Sequence, residues 1–139
     1  MTQNALLKDD PRLDHFIRRD GMTFAGVHLI VDLWDAARLD ETDHIRRTLI
    51  DAAAAAHATL MALDLHPFDE NGGIAGVAVL AESHISIHTW PEMNYAAIDI
   101  FTCGDSDPHA AVTLMTAAFA AGRSEVQEIR RGVIARAGQ

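Results

Sequence analysis

The chain carries one cysteine, one tyrosine and eleven lysine and arginine residues against twenty acids, and each scarcity closes off a class of protein. With Cys103 as its sole thiol it has no means of building an internal disulfide framework or a multi-cysteine zinc site, which fits a reducing compartment. Its formal charge of −9, with no local run of Lys and Arg, presents an unfavourable field to nucleic acid and to an anionic membrane. A cationic small molecule suits that field better. Met1 to Gly21, dense in charges such as Lys8, Asp9, Asp10 and Arg12, contains no apolar stretch suited to a signal peptide or a membrane span. The expected location is the cytoplasm.

What is present suits one modest core, since two cores in 139 residues would each be marginal. A protein this small that encloses a substrate often borrows walls from a second copy, so a homo-oligomer is expected. Residues 1–21 read as a mobile arm or a short surface helix around Asp14 to Arg18, and residues 22–139 as the single domain. From Phe24 to Trp34 a β-branched and aromatic run predicts a central strand. Asp40 or Thr42 is positioned to cap a helix whose Ile45, Leu49 and Ala52 recur at helical spacing through to about His57. Thr59 to Leu65 is strand-like, and His66 to Gly73 is a loop, because Pro67 and paired glycines favour turn geometry. Ile74 to Ala81, Ser83 to His88 and Tyr95 to Thr102 predict three more strands, the second interrupted by Pro91. Asp107 and Pro108 predict the start of a helix with Ala111, Leu114, Met115, Ala118 and Phe119 buried, stopped by Gly122. Glu125 to Ile134 predicts an edge strand. This order implies an α+β fold, a two-layer sandwich with two helices packed on one face of a mostly antiparallel sheet.

The chemistry concentrates in one block, AESHISIHTWPEMNYAAIDIFTCG, from Ala81 to Gly104. Taken singly its residues are weak signals: a serine on an alternating strand is ordinarily a surface residue, and a lone cysteine ordinarily an inert small hydrophobe. His84 and His88 suggest a metal pair, but no third ligand at suitable spacing follows in the sequence, so no metal is expected. His28, His44, His57, His66 and His109 read as surface or loop histidines, and Trp34 and Trp90 would serve equally as core. The joint occurrence of Glu82-Ser83, His88, Trp90-Pro91-Glu92 and Cys103 is what lifts the block above these readings.

That block closely resembles the signature of prokaryotic S-adenosylmethionine decarboxylases, which are made as proenzymes and split between a Glu and the Ser after it. The resemblance implies self-cleavage between Glu82 and Ser83, with the Ser83 hydroxyl attacking the Glu82 carbonyl and His88 moving the processing proton. It implies a pyruvoyl group made from Ser83 as cofactor, which takes the substrate amine as a Schiff base and accepts the electrons released with carbon dioxide. Cys103 matches the family's proton donor. Phe68 and Trp90 match the rings that hold adenine, and Glu92 the acid that holds the ribose. The implied substrate is S-adenosylmethionine, the implied product the aminopropyl donor for spermidine synthesis, and the implied assembly a homodimer.

Two departures accompany the resemblance. Ala75 stands where a small hydroxyl residue is common, which implies either slow processing or another donor such as Thr89 to polarise the scissile carbonyl, and the loop after Phe68 is one residue longer than usual. Two rival readings follow: a pyruvoyl-dependent ornithine or arginine decarboxylase on the same scaffold, and an uncut, inactive homologue acting as a binding partner. Phe68, Trp90 and Glu92 argue against the first, because a short amino acid offers no adenine or ribose.

Overall fold

In the computed structural model, residues 16–68 and 70–136 are described. Nine strands and two helices follow the order β1 (Ile17–Arg19), β2 (Met22–Phe24), β3 (Gly26–Trp34), α1 (Thr42–Ala55), β4 (Leu60–Pro67), β5 (Ile74–Leu80), β6 (Ser83–Trp90), β7 (Tyr95–Cys103), α2 (Pro108–Ala118), β8 (Arg123–Arg131) and β9 (Ala135–Arg136). Six of the strands form one sheet in the order β4-β5-β6-β7-β3-β8, every neighbouring pair antiparallel. The α+β reading is therefore correct, with β8 at the expected edge. No helix of the described residues is long and apolar enough to cross a membrane.

Strand periodicity sorts the side chains between two faces. Val27, Leu29, Val31 and Leu33 of β3, Ile85, Ile87 and Thr89 of β6, and Ala96, Ile98 and Ile100 of β7 are buried beneath the helices. There they meet Ile45, Leu49, Ala52 and Ala53 of α1 and Ala111, Met115 and Phe119 from α2 and its end. The alternate positions, His28, Asp32, Trp34, His84, His88, Trp90, Tyr95 and Asp99, stand on the opposite face at intermediate or full exposure. Among the described residues that face carries no second layer, so the two-layer sandwich they form has one open side.

Local differences from the sequence expectations have simple causes. Of the arm expected over 1–21, residues 1–15 lie outside the described residues; from Ile17 the chain is not a helix but a hairpin with β2, closed by β9 into a small second sheet. The long strand predicted from Phe24 is broken at Ala25, whose N–H turns to the Arg131 carbonyl at 2.8 Å. Glu41, not Asp40 or Thr42, precedes α1, and its carboxylate is held by Arg38 at 3.0–3.2 Å instead of capping. The second cap is as expected, with Asp107 accepting from the Ala110 N–H at 3.2 Å. That helix ends at Ala118, before Gly122, because Ala120 takes the left-handed conformation (φ 48°). Its last carbonyls gain a partner the sequence did not suggest: the His44 ring lies 2.7 Å from the Ala118 carbonyl, so His44 is not a free surface histidine.

Candidate active site

Glu82 and Ser83 sit where β5 turns into β6. Leu80 pairs with Ser83, leaving Ala81 and Glu82 as a two-residue turn whose Ala81 N–H donates to the Thr59 carbonyl at 2.9 Å. Glu82 occupies the left-handed region at φ 62°, a position that favours Gly or Asn and costs other residues about 1–2 kcal/mol. Among the described residues six other non-glycine residues share this feature, so the strain is not peculiar to this bond, but here it falls beside a hydroxyl. Ser83 is 9% exposed, and its hydroxyl oxygen accepts a long hydrogen bond, 3.4 Å, from the Cys103 N–H.

Cys103 ends β7, opposite Gly26. A side chain at Gly26 would put a Cβ 2.5 Å from the Thr102 carbonyl oxygen, so glycine lets the two strands close at this point. The loop that follows is tied to the end of α1 by the Asp107 N–H donating to the Ala56 carbonyl at 2.9 Å. Burial pushes the Cys103 thiol up from its ordinary value, and the nearby Glu82 carboxylate pushes it further the same way. The thiol thus keeps its proton at neutral pH, as a proton donor must. A cavity of about 510 Å³ opens over this group, walled by Arg18 and Arg19 of β1, His57, Thr59, Asp105 and Ser106 as well as Glu82 and Cys103. None of those additional walls was legible in the sequence, because they come from three separate segments; His57, read as an ordinary loop histidine, is among them.

A consequence for reactivity follows. In an uncut Ser83→Ala chain, the alkylation rate of Cys103 should rise with pH about a midpoint above the ordinary 9.0, and Glu82→Gln should move that midpoint down. An unmoved midpoint would show that the carboxylate does not act on the thiol.

The other predicted residues gather elsewhere. Phe68, His88 and Trp90 line a second cavity of about 580 Å³ together with Glu70, Asn71 and Thr89. Trp90 is 39% exposed, and one face of its ring stacks on Tyr95 at 5.3 Å between centroids. Tyr95 in turn stacks on Trp34 at 4.3 Å and donates its hydroxyl to Asp32 Oδ1 at 2.6 Å. Burial first, and then that bond to a carboxylate, push the phenol up to about 12, so it stays a donor and the ladder of rings stays fixed. Glu92 lies one turn further on, exposed in a short 3-10 turn (Pro91–Met93), and is not part of the cavity wall.

The structure does not bring His88 to Ser83 within one chain. Five residues of extended strand separate them by about 16 Å, and their side chains project from opposite faces of β6. His84 and His88, four apart on one face, are about 13 Å from each other along the strand and form no metal pair. Ala75 pairs with His88, remote from the turn. The Thr89 hydroxyl is already committed, donating to the Leu39 carbonyl at 2.8 Å and accepting from the Ile74 N–H at 2.9 Å; it braces a loop and does not polarise the Glu82 carbonyl of its own chain.

Comparison with known proteins matches residues 27–132 to the model of the family described as S-adenosylmethionine decarboxylase. An S-adenosylmethionine decarboxylase proenzyme of Thermomicrobium roseum is 43% identical over 81% of this chain and 98% of its own length. One of Parasynechococcus marenigrum is 47% identical over 76% of this chain and 84% of its own length, so the likeness spans most of both chains. The crystal structure of the adenosylmethionine decarboxylase from Aquifex aeolicus matches with a TM-score of 0.73 at 31% identity, covering 84% of this chain and 98% of that one.

Proposed function

This chain belongs to the S-adenosylmethionine decarboxylase family, and we infer that it removes carbon dioxide from S-adenosylmethionine, giving the aminopropyl donor for spermidine synthesis, after cutting itself between Glu82 and Ser83. The observation that carries the reading is the meeting of three residues at one end of the sheet: Glu82 in a left-handed conformation, the buried hydroxyl of Ser83 next to it, and Cys103, with its protonated thiol, whose N–H faces that hydroxyl from the end of β7.

In this reading the Ser83 hydroxyl adds to the Glu82 carbonyl, the peptide C–N bond breaks and the Ser83 nitrogen takes the proton, leaving an ester. Removal of the Ser83 α-proton expels the Glu82 carboxylate, and water then releases ammonia to leave a keto end on residue 83. The residues present fit that outcome, because the turn holds hydroxyl and carbonyl in sequence contact and the Cys103 N–H already faces the oxygen. When formed, the pyruvoyl group supplies an electron-withdrawing carbonyl for decarboxylation. Cys103 returns a proton to the substrate carbon from one side. The rings of Phe68 and Trp90 would hold an adenine, and Glu92 the ribose, while the net negative charge favours a sulfonium.

The separation of the two half-sites supports a homodimer. Glu82, Ser83 and Cys103 lie at one end of β6 and β7, whereas Phe68, His88 and Trp90 lie at the other end of β6. A second copy laid on the open sheet face with a two-fold axis would bring its His88 end over the first copy's Ser83 end. The lone thiol and the acidic surface fit work in the cytoplasm.

The purified protein should separate into residues 1–82 and 83–139, the second fragment carrying a ketone that reacts with hydrazines. Intact mass measurement checks this. Protein that stays full length and inert to hydrazine after long incubation would defeat the reading, and turnover of ornithine or arginine in place of S-adenosylmethionine would redirect it.

A further inference from the structure

The open face of the sheet carries a second group of ligating side chains that the decarboxylase reading leaves unused. Phe101 on β7 pairs with His28 of β3 on one side and with His84 of β6 on the other. The two imidazoles therefore flank one phenyl ring, at centroid distances of 5.7 and 6.1 Å. Asp99, two residues before Phe101 and so on the same face, closes the triangle. One carboxylate oxygen lies 2.9 Å from His84 Nε2 and the other 3.8 Å from His28 Nε2. One ligand atom from each of the three residues falls within 4.8 Å of the other two. The spacing rule that discounted His84 looked along β6 toward His88, whereas the neighbours that matter come across the sheet.

A second observation is independent of this proximity. His28 Nε2 is buried and has no hydrogen-bond partner, a condition that asks for a partner in a folded protein. Its Nε2 lies 3.8 Å from the same carboxylate that already holds His84, too far for a hydrogen bond. Three adjacent strands fix the three side chains, so little ordering remains to be done when an ion enters.

The geometry points to a divalent-metal site formed by His28, His84 and Asp99, of the two-imidazole, one-carboxylate class that takes Zn²⁺ or a neighbouring late first-row cation. Three protein ligands leave positions for water. Such an ion needs donor atoms roughly 3–3.5 Å apart, so His28 Nε2, now 3.8 Å from the carboxylate, has to close that gap by roughly half an ångström. One group opposes the ion. Arg131 of the edge strand places Nη1 at 3.3 Å from His28 Nδ1, where it donates to that nitrogen and leaves the ring proton on Nε2. Coordination through Nε2 moves the proton to Nδ1 and turns Arg131 away, which an exposed side chain on β8 is free to do. The site does not depend on the decarboxylase reading, and its test is a binding measurement.

Untagged, chelator-stripped full-length protein should bind one Co²⁺ per chain with a visible absorption band, and one Zn²⁺ by calorimetry. His28→Ala and His84→Ala should each weaken binding by roughly 100-fold or more, beyond the usual effect of losing an outer contact. His88→Ala and Cys103→Ala should leave it unchanged. Arg131→Gln removes the opposing charge and offers Nδ1–H an acceptor, so it should tighten binding roughly tenfold. A gain of this kind cannot arise from misfolding. No uptake by the wild-type chain at millimolar ion, uptake that survives both histidine substitutions, or an affinity unmoved by Arg131→Gln would each overturn the assignment and leave a hydrogen-bonded trio.

Discussion

Replacing Ser83 with Ala should leave a single uncut chain with no hydrazine-reactive end and no decarboxylation above background. The expected loss of activity is roughly a millionfold or more, because the substitution removes the whole prosthetic group rather than one contact in the transition state. The hydroxyl oxygen is the atom that attacks, and the carbons of residue 83 are the atoms that become the ketone; alanine supplies a carbon skeleton but no oxygen. The fold should survive. Ser83 makes one long hydrogen bond, from the Cys103 N–H at 3.4 Å, so its removal should cost about 0.5–1.5 kcal/mol. Ser86→Ala, three residues along β6 on the open face, is the matched control and should cut normally. Cleavage of the Ser83→Ala chain would mean that the nucleophile lies elsewhere.

The second large effect concerns which chain serves which site. If the imidazole of one protomer acts on the Ser83 turn of the other, a His88→Ala chain and a Ser83→Ala chain should each be nearly inactive alone. Mixed, they should recover activity. In a mixed dimer one site keeps both Ser83 and the partner's imidazole while the other has lost both, so random pairing restores about a quarter of wild-type sites. An arrangement within one chain would restore none, because no single polypeptide in the mixture carries both groups. Co-expression with two different affinity tags, followed by a decarboxylation assay of the doubly selected species, decides between them. The strand geometry favours recovery: about 16 Å and opposite faces of β6 separate the two residues in one copy.

The block from Ala81 to Gly104 was legible through its resemblance to a family signature, which a contiguous run of residues carries without any fold. A hydroxyl adjacent in sequence to the bond it attacks stays adjacent in any fold, so Glu82 and Ser83 needed no structure to be named. The helix over Thr42–Ala55 was legible for a similar reason, since Ile45, Leu49 and Ala52 fall on one face by period alone. Less local features misled. Asp40 and Thr42 each carry a capping side chain, but the helix begins after Glu41, which Arg38 has engaged. Thr89 looked available as a donor until its two backbone partners, Leu39 and Ile74, were in view.

By itself the sequence determined the order of the two helices and the main-sheet strands and the alternation that buries one face of the sheet, and its resemblance named the bond proposed to be cut. Only the tertiary structure decided that Arg18 and His57 wall the cavity over Cys103, and that His28, His84 and Asp99 meet. The physical reason is that strand register joins residues as far apart as Gly26 and Cys103 through backbone hydrogen bonds, and no side-chain pattern along the chain records which strand will lie beside which.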